Sequence, residues 1–300
     1  MKHDEQTKGI LLAIAAFTWW GLGPLYFKLL SDVDVIEIMA HRITWSMIFL
    51  IVTIWLLNKP FRLVEILKTP SLLIGLTASG ILISVNWLIY VWAISENQVL
   101  ATALGYFINP LISVALGMFF LGEKLNNRQY IALSLVILAV LNQIWQYGAL
   151  PWISLSLALT FGFYGLIRKK IDIDSFNGLL LEVTIILPFA LAFLLWKMGT
   201  TADTQVSTDW QQTILLMLTG FVSVVPMALF ATSVKIINLS TIGFIQYLAP
   251  SISFLLAVFV FKESLETGQL FSFILIWIAL IFVSWDSIKH KLLNKTTELN

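Results

Sequence analysis

The sequence predicts an all-α integral membrane protein: ten transmembrane helices as a 5+5 inverted-topology repeat. Two observations carry this. First, 59% of the 300 residues are hydrophobic and only 12% are charged, where a soluble domain has about 25% charged, and the charges gather between apolar runs. Second, "ATALGYFINPLISVALGMFFLGEKLNNRQ" (101–129) lies without a gap over "TIGFIQYLAPSISFLLAVFVFKESLETGQ" (241–269), an offset of 140 residues. Pro110 falls on Pro250, Ser113 on Ser253, Phe119 on Phe259, Glu123 on Glu263, Leu125 on Leu265 and Gln129 on Gln269.

Taking about 20 apolar residues to cross ~30 Å of hydrocarbon, the spans fall at 9–30, 35–57, 71–94, 99–121, 129–147, 150–167, 177–198, 211–236, 241–261 and 269–288. The first is read as a retained helix rather than a cleaved signal, because nine more follow and no small-residue cleavage site ends it. Basic residues set the orientation. With the N-terminus inside, Lys2, Lys8, Lys59, Arg62, Lys68, Lys124, Arg128, Arg168, Lys169, Lys170, Lys235, Lys289, Lys291 and Lys295 are cytoplasmic; Lys28, Lys197 and Lys262 are external, and Arg42 lies within a span. Both termini are thus expected in the cytoplasm, in a multi-pass protein of a bacterial-type inner (plasma) membrane.

The halves are 1–147 and 148–300. Five spans is an odd number, so the second half enters from the opposite face. Inverted repeats are a recurrent plan of secondary transporters, with the site near the midplane between the halves.

In the first span, Trp20 sits well inside the apolar run, Gly21 and Gly23 permit close helix approach, and Lys28 snorkels at the outer end. In the second, "EIMAHRITWS" (37–46) brings Glu37, His41 and Trp45 onto one face and Arg42 onto a stripe with Ser46. An Arg at a helix centre costs about 2.5–3.5 kcal/mol to insert. Arg42 either snorkels outward or lines an outer vestibule. His41 either titrates or is a hydrogen-bonded packing residue. The third span offers Asn86, Trp87 and Tyr90. The fourth carries "GYFINP" and the ninth "QYLAP", so Pro110 and Pro250 are candidate helix breaks. Tyr106, Asn109, Gln246 and Tyr247 would then face a central cavity between spans 1, 3, 4, 6, 8 and 9; the alternative is that the prolines only shape packing. Glu182, in "GLLLEVTII", stands 140 residues after Arg42. The two are read as the outer and inner ends of one route, not as a salt bridge. Glu182 is the candidate proton carrier, with hydrogen-bonded packing as the alternative.

The sequence also excludes classes. With no Cys there is no disulfide framework or metal-thiolate site. No phosphate loop and no H-E-x-x-H occurs, and His3, His41 and His290 are scattered. Asp32/Asp34 and Asp172/Asp174 are loop residues. No catalytic residue, metal site or cofactor is expected, and a net charge of +1 gives no basis for nucleic-acid binding.

Six stretches in order, "WWGLGPLYFKL" (19–29), "HRITWS" (41–46), "NWLIYVWA" (86–93), "GYFINPL" (105–111), "FYGLIRKK" (163–170) and "LSTIGFIQYLAP" (239–250), resemble the RarD-type permeases of the EamA family, in the drug/metabolite transporter superfamily. The fourth span ends in the familiar "LGE" (121–123). The ninth ends in "FKE", with Lys262 where the family usually has Gly. The resemblance implies the drug/metabolite transporter fold and a permease for a small metabolite or drug-like solute, often an exporter. The expected partners are that solute and the lipid bilayer. The rival readings are a drug/proton antiporter and, from another class, a non-transporting membrane sensor or scaffold.

Overall fold

A computed structural model describes residues 2–122, 127–200, 210–236, 245–279 and 281–282. All regular structure among them is helical: α1 (Lys2–Lys28), α2 (Val35–Leu56), a one-turn α3 (Leu63–Leu67), α4 (Pro70–Ser95), α5 (Val99–Leu121), α6 (Asn127–Tyr147), α7 (Trp152–Lys170), α8 (Ser175–Thr200), α9 (Trp210–Ile236) and α10 (Leu248–Leu255). A π-helical turn, Leu256–Val260, extends α10, and α11 is Thr267–Ala279. Apolar chain in lipid has to satisfy its own backbone, and helix is the local way to do so. Among the described residues, five helices are long and apolar enough to cross a membrane: Glu5–Lys28, Val35–Leu56, Pro70–Ser95, Phe176–Gly199 and Trp210–Phe230. Further apolar segments among the described residues are shorter. The predicted Glu123–Glu263 and Leu125–Leu265 matches, and the start of the ninth span, involve residues outside those described.

Local signals set several ends. Asp34 Oδ1 accepts from the amides of Ile36 (2.9 Å) and Glu37 (3.1 Å) and caps α2. At the offset of 140, Asp174 Oδ1 accepts from Phe176 (3.2 Å) and Asn177 (3.1 Å) and caps α8 the same way. Such caps are each worth about 1 kcal/mol. Pro70 opens α4, where its missing N–H is harmless. Gly122 ends α5 in a left-handed conformation.

The helix pairings also recur. α5 packs on α7 and α10 packs on α1; α4 packs on α7 and α9 packs on α1; α2 packs on α8. Close contacts fix the crossings. A Cβ on Gly21 would stand 2.8 Å from Ile252 Cβ, and one on Gly162 would stand 2.9 Å from Ile112 Cγ2. Ile112 and Ile252 are themselves 140 apart. α6 and α11 are joined by Asn142, whose Nδ2 donates to Gly268 O (2.9 Å) and Ser272 Oγ (3.0 Å). Large apolar side chains such as Trp145, Phe119 and Phe189 point outward, as in a protein whose solvent is lipid.

The predicted break at Pro110 is not an interruption: α5 is helical from Val99 through Pro110 to Leu121. A helix in a bundle can carry one lost hydrogen bond without ending. On the other side, Gln246 and Tyr247 form a turn and Pro250 lies in the first turn of α10, where proline is tolerated.

Candidate functional site

The second, third and fourth spans bring one set of predicted residues together. Arg42 is 7% exposed. Its guanidinium lies 4.2 Å from the centroid of the Trp87 ring and 5.3 Å from that of Phe27. Phe27 meets Tyr90 edge-on at 5.9 Å, and Tyr90 meets Tyr106 at 5.9 Å. Helices α1, α2, α4 and α5 thus build an aromatic chamber around one cation. Arg42 Nε and Nη1 have no hydrogen-bond partner, and neither does Ser46 Oγ, one turn further on the same stripe. Burial of an ion costs several kcal/mol, whereas a desolvated cation–π contact returns about 2 kcal/mol. The rings alone do not offset the burial. At 7% exposure Arg42 nonetheless does not snorkel outward; it is held inside the protein.

Asn86 has a different job. Its Nδ2 donates to Leu157 O (2.9 Å) and Thr160 Oγ1 (2.9 Å), and its Oδ1 accepts from Tyr106 OH (3.2 Å). This amide ties α4 to α7 and α5, and in doing so orients Tyr106 in the chamber wall.

Glu182, 1% exposed, anchors a second cluster. Its Oε1 accepts from Ser79 Oγ (2.6 Å) and lies 3.5 Å from Arg168 Nη1, and its Oε2 accepts from Tyr164 OH (3.4 Å). Gly80 lets α4 pass against the Glu182 backbone. Arg168, counted above with the cytoplasmic basic residues, in fact turns into the protein. The available signal was the spacing within "FYGLIRKK": Tyr164 and Arg168 are i and i+4 on one face. Among the described residues, Glu182 pairs with Arg168 and not with Arg42.

The other predicted residues lie apart from the chamber or at its margin. Trp20 packs with Phe17 (5.3 Å) and Phe230 (5.8 Å). Tyr247 stacks on Phe107 at 6.5 Å. Asn109 Oδ1 and His41 Nδ1 are buried without hydrogen-bond partners. One turn above His41, Glu37 pairs with Lys197 of α8. Lys28 does not simply snorkel but donates to Asn97 Oδ1 (2.6 Å).

One cavity of ≈10 Å³, about the room for a single water, is lined by Ile43, Ile83, Ser84, Trp87, Leu179, Glu182, Val183 and Ile186. It thus touches both Trp87 of the chamber and Glu182. Another, lined in part by Leu104, Gln143 and Ser272, is narrower. The described residues hold no cluster of three or more His, Asp or Glu suited to a metal ion.

Between the halves on the α5 side, Glu263 supplies a cap from a distance. Its Oε1 accepts from the Val99 amide (2.7 Å) and its Oε2 from that of Leu100 (2.9 Å), at the start of α5. Burial raises the Glu263 carboxyl above the ordinary range, against the opposing pull of those amides and of Lys28.

Comparison with known proteins agrees with this architecture. The chain matches the EamA-like transporter family twice, over residues 7–142 and 150–285. It is 42% identical over 291 residues to an uncharacterized transporter of Vibrio cholerae, covering 96% of each chain. It is 38% identical over 288 residues to protein RarD of Escherichia coli, covering 96% of this chain and 97% of the relative. It is 38% identical over 300 residues to the uncharacterized transporter YojE of Bacillus subtilis, covering 99% and 100%. A solved crystal structure of a 15% identical protein superposes with a TM-score of 0.58 over 92% of this chain and 97% of the other, a likeness of fold.

Proposed function

This chain belongs to the EamA-like transporter family, resembling its RarD-type members over nearly its whole length, and from that premise we propose that it is an inner-membrane permease that moves a small metabolite or drug-like solute, as an exporter, by alternating access. The single observation that carries the mechanism is the recurrence of helix pairings at an offset of 140 residues: α5 on α7 answers α10 on α1, and α4 on α7 answers α9 on α1. Two halves that make equivalent contacts can exchange conformations at little net energy, which is what a carrier that opens to alternate sides requires. The paired caps at Asp34 and Asp174 and the two family matches, 7–142 and 150–285, support the same division, 1–147 and 148–300, into five-helix halves of opposite topology. On this reading both termini are cytoplasmic. Reporters fused after Lys68, Lys170 and Asn300 should register inside and one at Asp203 outside. Agreement between the Lys170 and Asp203 reporters would sink the ten-span arrangement.

Within this reading the solute passes between the Arg42 chamber and the Glu182 cluster, with Trp87 between them. Untargeted metabolite profiling of cells and medium, with and without the protein, tests transport directly. A solute that accumulates in the medium only when the protein is present, and that purified protein then moves across vesicles, supports it. Identical profiles would favour a sensor or scaffold. A second reading, proton-coupled antiport, is favoured by one observation: a carboxylate, Glu182, that is buried yet lines a water-sized cavity.

A further inference from the structure

We propose that Arg42 and the rings around it form a subsite for a carboxylate-bearing solute whose flat apolar body lies against Trp87 and Tyr90. This rests on the transport reading above and names its substrate class. The argument begins with what Arg42 lacks. A guanidinium offers five N–H donors and suits carboxylates geometrically. Here it is 7% exposed, and its Nε and Nη1 donate to nothing in the protein. Among the described residues no carboxylate pairs with it. What lies within electrostatic reach is the hydroxyl groups of Tyr106, Tyr90 and Tyr26. Of these, Tyr26 donates to the Leu215 carbonyl and Tyr106 to Asn86.

Charge then selects the ligand. One cation with neutral neighbours is balanced by a monoanion; a phosphate dianion would leave a net negative charge in low dielectric. A carboxylate satisfies the idle donors and neutralises Arg42. Ser46 Oγ, buried and unpartnered one turn away, offers a further polar contact. The walls select the rest of the molecule. Trp87, Phe27, Tyr90 and Tyr106 present ring faces and edges, which favour a flat apolar body over a sugar-like one. Trp87 also lines the small cavity beside Glu182, so movement of that ring would join the chamber to the rest of the proposed route.

The test uses the full chain in lipid nanodiscs, with phenylacetate and indole-3-acetate as probes and phenylacetamide as the neutral match. Equilibrium binding and thermal unfolding are both read. The carboxylates should bind and raise the melting temperature, and phenylacetamide should bind about tenfold more weakly or not at all. Arg42→Met should lose about tenfold or more in carboxylate affinity, while its unliganded melting temperature stays level or rises, because an unpaired buried charge has been removed. A merely structural Arg42 would give the reverse, a fall in melting temperature. Arg42→Lys keeps the charge without the planar fork and should bind several-fold more weakly than the parent; it also serves if the Met variant fails to fold. Equal binding of phenylacetate and phenylacetamide, unchanged carboxylate affinity in Arg42→Met, or no binding of either carboxylate overturns the proposal. The same proteins in vesicles separate the two claims. Binding through Arg42 without movement of the probe removes the transport reading and leaves the subsite. Transport of a profiled solute that is indifferent to Arg42→Met removes the subsite and leaves the transport reading.

Discussion

Gly122 and Lys262, 140 residues apart, occupy the same left-handed backbone region, at φ 67° and φ 57°. Each follows the end of its helix, α5 in one case and the π-helical extension of α10 in the other. Glycine adopts that conformation without penalty, whereas a residue with a Cβ pays roughly 1 kcal/mol or more. Lys262 therefore sits where glycine is physically preferred.

Replacing that exposed lysine removes the strain. Lys262→Gly should stabilise the protein by about 1 kcal/mol, read as a higher melting temperature in detergent. Gly122→Lys should lose a similar amount. If Lys262→Gly is neutral or destabilising, the side chain has a favourable contact that outweighs its backbone.

Helix crossings give a sharper contrast. A Cβ on Gly220 would come within 2.6 Å of the Ser46 nitrogen, on the backbone of α2. Backbone cannot step aside as a side chain can, so Gly220→Ala should cost about 1–3 kcal/mol, as overpacking does. Gly165, inside α7, has nothing within 4 Å of the same position, and Gly165→Ala should be level with the parent or up to about 1 kcal/mol more stable, because alanine suits a helix interior better than glycine. Equal melting temperatures for the two variants would mean that α2 and α9 do not cross there as closely as described.

The buried Glu182 separates proton exchange from packing. Glu182→Gln keeps the shape, retains a hydrogen-bond acceptor for Ser79 and leaves Arg168 without its ion pair. Because the Arg168 side chain is 14% exposed, it can partly recover water, and the stability loss should be about 2 kcal/mol, below that of a fully buried pair. If Glu182 carries a proton, transport by Glu182→Gln should lose its pH dependence between about pH 5.5 and 8.5 while solute binding survives. A variant whose transport follows the parent's pH profile across that range would assign Glu182 to packing.

The capping aspartate of α8 predicts an acid limb of stability. Burial pushes the Asp174 carboxyl up, but donation from the Asn177 side chain and amide, the charge of Lys59 and the Phe176 amide outweigh it and hold the group below the ordinary aspartate range. A carboxyl depressed in the folded state stabilises it above the unfolded value and loses that contribution as pH falls through the folded value. Asp174→Ala should be about 1 kcal/mol less stable than the parent at neutral pH, and the two should converge below about pH 4. A gap that stays constant into acid would show that the side chain's charge plays no part in the cap.

Much of the fold was legible because it is local. An apolar run of fixed length has to become a helix in lipid, so the starts of α2 and α5 and the ends of α5, α6 and α9 fall within a residue of expectation. The offset of 140 was likewise visible in Pro110 and Pro250, and the structure extends it to caps and crossings. Their effect on the backbone was not legible: proline chemistry predicts a lost hydrogen bond, but whether the helix stops depends on what surrounds it, and α5 continues.

The sequence by itself determined that Arg42 and Glu182 would be costly to bury, because charge in an apolar run is expensive wherever the helix turns. Only the tertiary structure decided what each one meets. An all-apolar helix has no polar face to fix its rotation; rotation is set by close approaches such as Gly80 on Glu182 and Gly220 on Ser46. Those crossings place Glu182 with Ser79, Tyr164 and Arg168. They leave Arg42 among rings, with two of its nitrogens unpartnered.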